Sequence, residues 1–175
     1  MASGDTLAVF TPYQNEPPAT IYATIDTRNA HPCLDFDGSA DEEAVFSSIM
    51  PRHYGASGIT VYLHVGFTSA TSGNAYWQVS IERMDDGTLD LDADSFAAVQ
   101  GAAGNPNGTS GAMTLVTITF TNGAQMDSVT VGEMYRLKVR RDADGPNSRH
   151  TARPTRTRTS EDPPSSPASA RLRPR

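Results

Sequence analysis

The chain has one cysteine, Cys33, one tryptophan, Trp77, and one lysine, Lys138. It also lacks any apolar run close to the ~18 residues that a membrane-spanning helix requires. A lone cysteine excludes an intramolecular disulfide, a CxxC redox pair and a zinc knuckle. The first ten residues, MASGDTLAVF, have neither a basic n-region nor an apolar h-region, so the protein reads as soluble and made without a secretion signal, with no membrane partner. Catalytic signatures are missing too. GASG (55–58) and GTSG (108–111) fail the spacing of a nucleophile elbow, and there is no P-loop, GxGxxG or HExxH. The expectation is a protein that is not an enzyme and carries no cofactor.

Histidines stand apart, at positions 31, 53, 64 and 150. His31 and Cys33 share a strand face, but two ligands without a third do not make a zinc site. Asp90, Asp92 and Asp94 occupy the first three ligand positions of an EF-hand-like loop. The glycine that its sharp turn needs is Ser95, however, and the twelfth position holds Gly101 in place of glutamate. The second acidic run, LDFDGSADEE (34–43), reads as a solvated loop. No metal is expected at either place.

What is present is turn chemistry and alternation. The 175 residues suffice for one core, 37% are hydrophobic, and 14 glycines with 12 prolines favour many turns over long helices. The net charge of −6 conceals a split: residues 1–144 hold 18 acidic and 7 basic side chains, for −11, whereas 145–175 hold 7 arginines against two acids, for +5. A body of that sign repels phosphate backbones, which argues against nucleic acid as its partner.

Period-2 patterns place apolar and polar side chains on opposite faces of a strand. In GITVYLHVGFT (58–68), Ile59, Val61, Leu63, Val65 and Phe67 oppose Thr60, Tyr62, His64 and Thr68. In NAYWQVSIERM (74–84), Ala75, Trp77, Val79 and Ile81 oppose Tyr76, Gln78, Ser80 and Glu82. The turn-rich link SATSGN (69–74) predicts that the two form an antiparallel hairpin. Their shared polar face, Tyr62, His64, Tyr76 and Gln78, is then a candidate interaction surface for a sugar or another subunit. Further strands are expected at 6–10, 20–27, 32–36, 44–50, 113–120 and 134–141. A short helix is expected over 92–104, capped by Asp94 or Ser95, and one helical turn near 124–128. Turns every ten to fifteen residues or so are the mark of an all-β sandwich or barrel. From Gly145 the composition changes: six prolines, one large aliphatic residue (Leu172) and no aromatic predict a disordered tail over 145–175, after a β-sandwich domain over 1–144.

Two stretches, DEEAVFSSIMPRHYGASGITVYLHVGFTSATSGNAYWQVSIERM (41–84) and TITFTNGAQMDSVTVGEMYRLKVRRDADG (117–145), carry a resemblance. Over residues 5–144 the chain resembles small jelly-roll proteins encoded among the structural genes of tailed bacteriophages. The shared features are an acidic strand ending in Met-Pro, a Tyr-Gly turn, an ATSGN turn, an aromatic-rich strand and a late GE-hydrophobic-RLKVxRD strand. The resemblance implies an antiparallel jelly-roll β-sandwich located in the virion: a capsid decoration or cement protein, acting as a dimer or trimer on the major capsid protein or other virion subunits. Its alternative is a carbohydrate- or receptor-binding module on a head or tail appendage. Such relatives continue past the Arg-Asp-x-Asp turn into another alternating strand, where this chain becomes rich in Arg, Pro, Ser and Thr. A shifted reading frame near Gly145 accounts for that change and predicts an open flank on the sandwich where a strand is missing.

Overall fold

The computed structural model describes residues 5–145, so the basic tail from Pro146 onward, expected to be disordered, lies outside the described residues. Eight strands follow one another: β1 (Thr24–Arg28), β2 (His31–Asp35), β3 (Glu42–Ile49), β4 (Ile59–Gly66), β5 (Ala75–Met84), β6 (Gln100–Gly104), β7 (Met113–Phe120) and β8 (Met134–Asp142). Single 3-10 turns at Pro12–Gln14 and Ala124–Met126 are the helical elements among the described residues.

The pairing is nested and antiparallel. β3 pairs with β8, β4 with β7 and β5 with β6, outermost with outermost. Because β8 also pairs with β5, the outer and inner pairs merge into one sheet, β3-β8-β5-β6, while β4-β7 forms the sheet opposite. Alternating the nested pairs between two sheets in this way makes a jelly roll. Its second sheet is narrow, because residues 85–99, between β5 and β6, run irregularly instead of adding strands to it.

Alternation explains which side faces in. The register sets Ile59 opposite Phe120, Val61 opposite Ile118 and Leu63 opposite Val116, and this face packs on Phe46, Trp77, Val79, Ile81, Tyr135, Leu137 and Val139 of the larger sheet. Val79 and Ile81 are completely buried. The β1–β2 hairpin adds Leu34, and Phe36 follows it with its ring edge-on to Trp77 at 5.1 Å between centroids. At the entry to β4, Gly58 has φ +90°, and a Cβ there would lie 2.2 Å from the Phe120 carbonyl oxygen, so the approach of β4 to β7 requires glycine.

Three expectations about secondary structure and pairing are corrected. The predicted β4–β5 hairpin does not form: the two strands lie in different sheets, and residues 69–74 carry the chain across the sandwich. Alternation reports which face is buried but not which strand is the neighbour. The helix expected over 92–104 is an irregular run followed by β6, because Ser95 donates from its backbone and its hydroxyl to the Glu82 carboxylate (2.5 and 2.8 Å) instead of capping a helix. Residues 6–10 form no strand; Leu7 and Phe10 pack against the core from irregular backbone, with the Phe10 ring 5.3 Å from Phe46.

The flank expected to open for want of a strand is not found beside β8. That strand pairs along its length with β3 on one side and β5 on the other, and is itself the closing strand of the roll. The outer edge of β3 is covered as well. Glu16 N–H donates to the Val45 carbonyl (2.8 Å), Glu43 N–H to that of Ile21 (2.8 Å) and Ala23 N–H to that of Glu43 (2.9 Å), while Val45 N–H reaches the Asn15 side chain (3.0 Å). Irregular backbone thus occupies an edge that another strand would otherwise use.

Candidate interaction surfaces

The two outer faces of the sandwich differ in chemistry. On the β4–β7 sheet the outward residues are Thr60, Tyr62 and His64 beside Met113, Leu115, Thr117 and Thr119, with Tyr62 directly across from Thr117 and His64 from Leu115. Neither strand contains an Asp, Glu, Lys or Arg. Tyr62, Met113 and Leu115 are 59%, 58% and 52% exposed. An acidic body therefore presents one uncharged, partly apolar sheet face to solvent.

The outer face of the larger sheet is charged and covered. β8 sends out Arg136, Lys138 and Arg140 in alternate positions. Arg136 pairs with Glu82 and Asp94, Lys138 with Glu43 (3.6 Å), and Arg140 with Asp41. The Phe96 ring lies across this row, its centroid 4.2 Å from the Lys138 ammonium and 4.9 Å from the Arg136 guanidinium, in cation–π geometry. With Ala97 N–H donating to the Ile81 carbonyl (2.9 Å), residues 94–97 form a strap that buries Ser80 and Glu82 on what alternation marks as a solvent face. Beside the strap a cavity of about 240 Å³ is lined by Glu43, Gln78, Ser80, Phe96, Val99, Lys138 and Arg140, among others.

Comparison with family models, curated proteins and solved structures returned no match.

The four residues proposed as one interaction face are divided by the fold. Tyr62 and His64 stand on the narrow sheet, while Tyr76 and Gln78 stand on β5 in the larger one. Tyr76 lies over Gly101 and Gly145, where an added Cβ would meet its ring at 2.8 and 2.9 Å, and Gln78 lines the cavity, its amide donating to Asp142 (2.8 Å). A stacking platform built from Tyr62 and Tyr76 together does not exist.

The acidic runs serve local structure. Asp37 accepts from Ser39 N–H and hydroxyl (2.6 and 2.7 Å), and these hydrogen bonds hold its carboxyl below the ordinary range. Asp41 accepts from Ala143 N–H (2.8 Å) and from Arg140, which lower its pKa in that order of importance. Asp90 accepts from Asp92 N–H (3.0 Å), and Asp94 turns to Arg136 (2.7 Å). Among the described residues no group of three His, Cys, Asp or Glu side chains is placed to hold a metal ion, and no helix is long and apolar enough to cross a membrane.

Sequence reasoning missed Met113 and Leu115 as surface residues and Phe96 as the strap's anchor. The first two were within reach, since alternation in MTLVTITF puts them opposite Val116 and Ile118, and the absence of charge from both strands is visible in the letters. Phe96 had no such signal, because the strap has no period.

Proposed function

We propose that this protein is a structural component of a tailed-phage particle, a decoration or cement protein that binds the major capsid protein through the outer face of its β4–β7 sheet. The observation that carries the reading is the uncharged face itself, with Tyr62, Met113 and Leu115 exposed on it, on a body of net charge −11. Interface cores are depleted in charge and enriched in Tyr and Met, and exposed apolar patches of this kind mark contact surfaces. The resemblance of residues 5–144 to small virion jelly rolls points the same way.

The mechanism needs no chemistry from the protein. A stiff sandwich holds the face in one shape, and each copy seated across a joint between capsid subunits removes apolar surface from water at that joint. Because the protein binds the assembled shell, mass action shifts the shell toward its closed state. Self-association into dimers or trimers multiplies the contacts each particle makes. The receptor-binding alternative loses its main support, since Tyr62 and Tyr76 face away from each other on separate sheets.

The test is co-sedimentation of the purified protein with shells that lack it. Wild-type protein pelleting with shells while Tyr62→Glu and Leu115→Glu proteins of unchanged melting temperature stay in the supernatant is the expected result. Equal pelleting of all three removes the β4–β7 face from the account.

A further inference from the structure

The two strands of the narrow sheet are not equally enclosed. On β7 the inward side chains Val116, Ile118 and Phe120 are buried, whereas on β4 the inward side chains Ile59, Val61, Leu63 and Val65 are only partly buried. The outer flank of β4 is therefore where the sandwich is open. The larger sheet and the β1–β2 hairpin each pair within themselves, so β7 is the one strand that pairs with β4 among the described residues.

The backbone of β4 is turned toward that flank at alternate residues. The Phe67 carbonyl accepts from Gly111 N–H (2.8 Å), across the narrow sheet, and the Met113 carbonyl turns away from β4 to accept from the Asn107 side chain (3.3 Å). Backbone groups of successive residues point to opposite sides of a strand. Gly66, directly across from Met113, thus turns its N–H and C=O away from β7, and so do His64, Tyr62 and Thr60. Among the described residues nothing else hydrogen-bonds to the backbone of these four.

Proteins blunt such an edge with lysine, proline, inward charges or covering backbone. The edge of β3 has the last of these, in Asn15, Glu16, Ile21 and Ala23. Strand β4, ITVYLHVG, has eight residues with neither proline nor a formal charge. A second copy of the same strand fits it by symmetry. With a two-fold axis at Leu63, antiparallel pairing sets Leu63 across from its own copy, Val61 across from the partner's Val65 and Tyr62 across from the partner's His64. Every outward N–H and C=O of the four residues then finds a partner, and the partly exposed apolar side chains cover one another. Bodies of net charge −11 repel, and an uncharged strand is a place where they can approach. The seven arginines of residues 145–175 find no acidic side chain on it.

We propose that the protein dimerises through the outer edge of β4, joining the two narrow sheets into one sheet of order β7-β4-β4-β7. The pairing closes on itself, as a two-fold interface does. It uses the edge of the sheet rather than its outer face, so it stands or falls apart from the proposed capsid contact, and shells play no part in its test.

The experiment is sedimentation equilibrium of the full chain. Wild type is expected at twice 18.7 kDa with a Kd of about 10–100 μM, and tighter as added salt screens the repulsion between bodies. His64→Pro, which removes an outward N–H and leaves the ladder to β7 whole, is expected to weaken the dimer about tenfold or more at unchanged melting temperature. Leu63→Cys in a Cys33→Ser background is expected to link two chains under mild oxidation, because facing Cα atoms about 4.5 Å apart suit a disulfide. Thr117→Cys, on β7, is expected not to. That pair of cysteine variants decides the matter if His64→Pro does not fold. A monomer at concentrations up to about 1 mM overturns the proposal, as does a trimer, a folded His64→Pro protein that dimerises like wild type, or linkage at position 117 in place of 63.

Discussion

Arg136 donates from Nε to Glu82 (2.6 Å) and from Nη2 to Asp94 (2.7 Å), joining a completely buried carboxylate on β5 to an exposed one on the strap. The pair clamps the strap onto the larger sheet's outer face, since Glu82 also accepts both hydrogen bonds from Ser95. A buried carboxylate without its cation is costly. Arg136→Met is therefore expected to destabilise the fold by about 3 kcal/mol or more, read as a lower midpoint in denaturant at unchanged slope. Adding Glu82→Leu to Arg136→Met is expected to restore much of that loss, because apolar replacements of a buried ion pair are often neutral. A single variant as stable as wild type contradicts the clamp.

Acid sensitivity is expected to centre on Asp41. Hydrogen bonding from Ala143 N–H and then from Arg140 holds its folded pKa below the ordinary 3.8. A depressed carboxylate contributes stability that is fully present above the unfolded pKa and is lost as pH falls through the folded value. Thermal unfolding between about pH 7 and pH 3 should show wild type losing stability below about pH 4, with Asp41→Asn less stable at neutrality and flatter across the acid limb. Parallel curves for the two proteins rule out this assignment.

Two glycines with positive φ separate backbone strain from steric contact. At Gly58 (φ +90°) an added Cβ would stand 2.2 Å from the Phe120 carbonyl oxygen, whereas at Gly73 (φ +101°) it would enter open space. Gly73→Ala is expected to cost only the conformational penalty, about 1–2 kcal/mol, and Gly58→Ala to cost about 1–3 kcal/mol beyond it, through displacement of β4 from β7. Equal losses in a denaturant series indicate that the β4–β7 approach is looser than described.

Much of the architecture was legible in the letters, and the rest was not, for physical reasons. Strand β7 matches its predicted span and β8 differs by one residue, because strict alternation of large apolar residues has one satisfactory reading. The buried face of β4 is likewise as read. Which strands pair is another matter: jelly-roll partners lie far apart in sequence, Ile59 opposite Phe120 and Ala44 opposite Val139, and local pattern contains no record of that. Hence the four residues Tyr62, His64, Tyr76 and Gln78 stand on two sheets, the first two on β4 and the others on β5. Strand β6, QGAAG, was hidden because its glycines lack β propensity; Gly101 lies under Tyr76 and Gly104 under Trp77 and Val116, where close approach leaves no room for a side chain. Ser80 and Glu82 read as surface because a strap without periodicity covers them.

The core sets the stiffness on which the proposed role depends. Ile81 is completely buried between the sheets, and Ile81→Ala is expected to cost about 2–5 kcal/mol through lost transfer energy and the cavity left behind. Tyr62→Glu, on the exposed face, is expected to leave the stability within about 0.5 kcal/mol of wild type, as surface substitutions do. A marked loss for Tyr62→Glu instead assigns that side chain to folding rather than to contact.

The central claim is most directly tested by imaging intact particles from a host that carries this gene. An electron cryo-microscopy map in which a jelly roll of this topology sits on the shell at symmetry-related positions, with Tyr62, Met113 and Leu115 turned toward capsid protein, is the predicted result. Purified particles that lack the protein, or a map that places it with the β4–β7 face toward solvent, contradict the account.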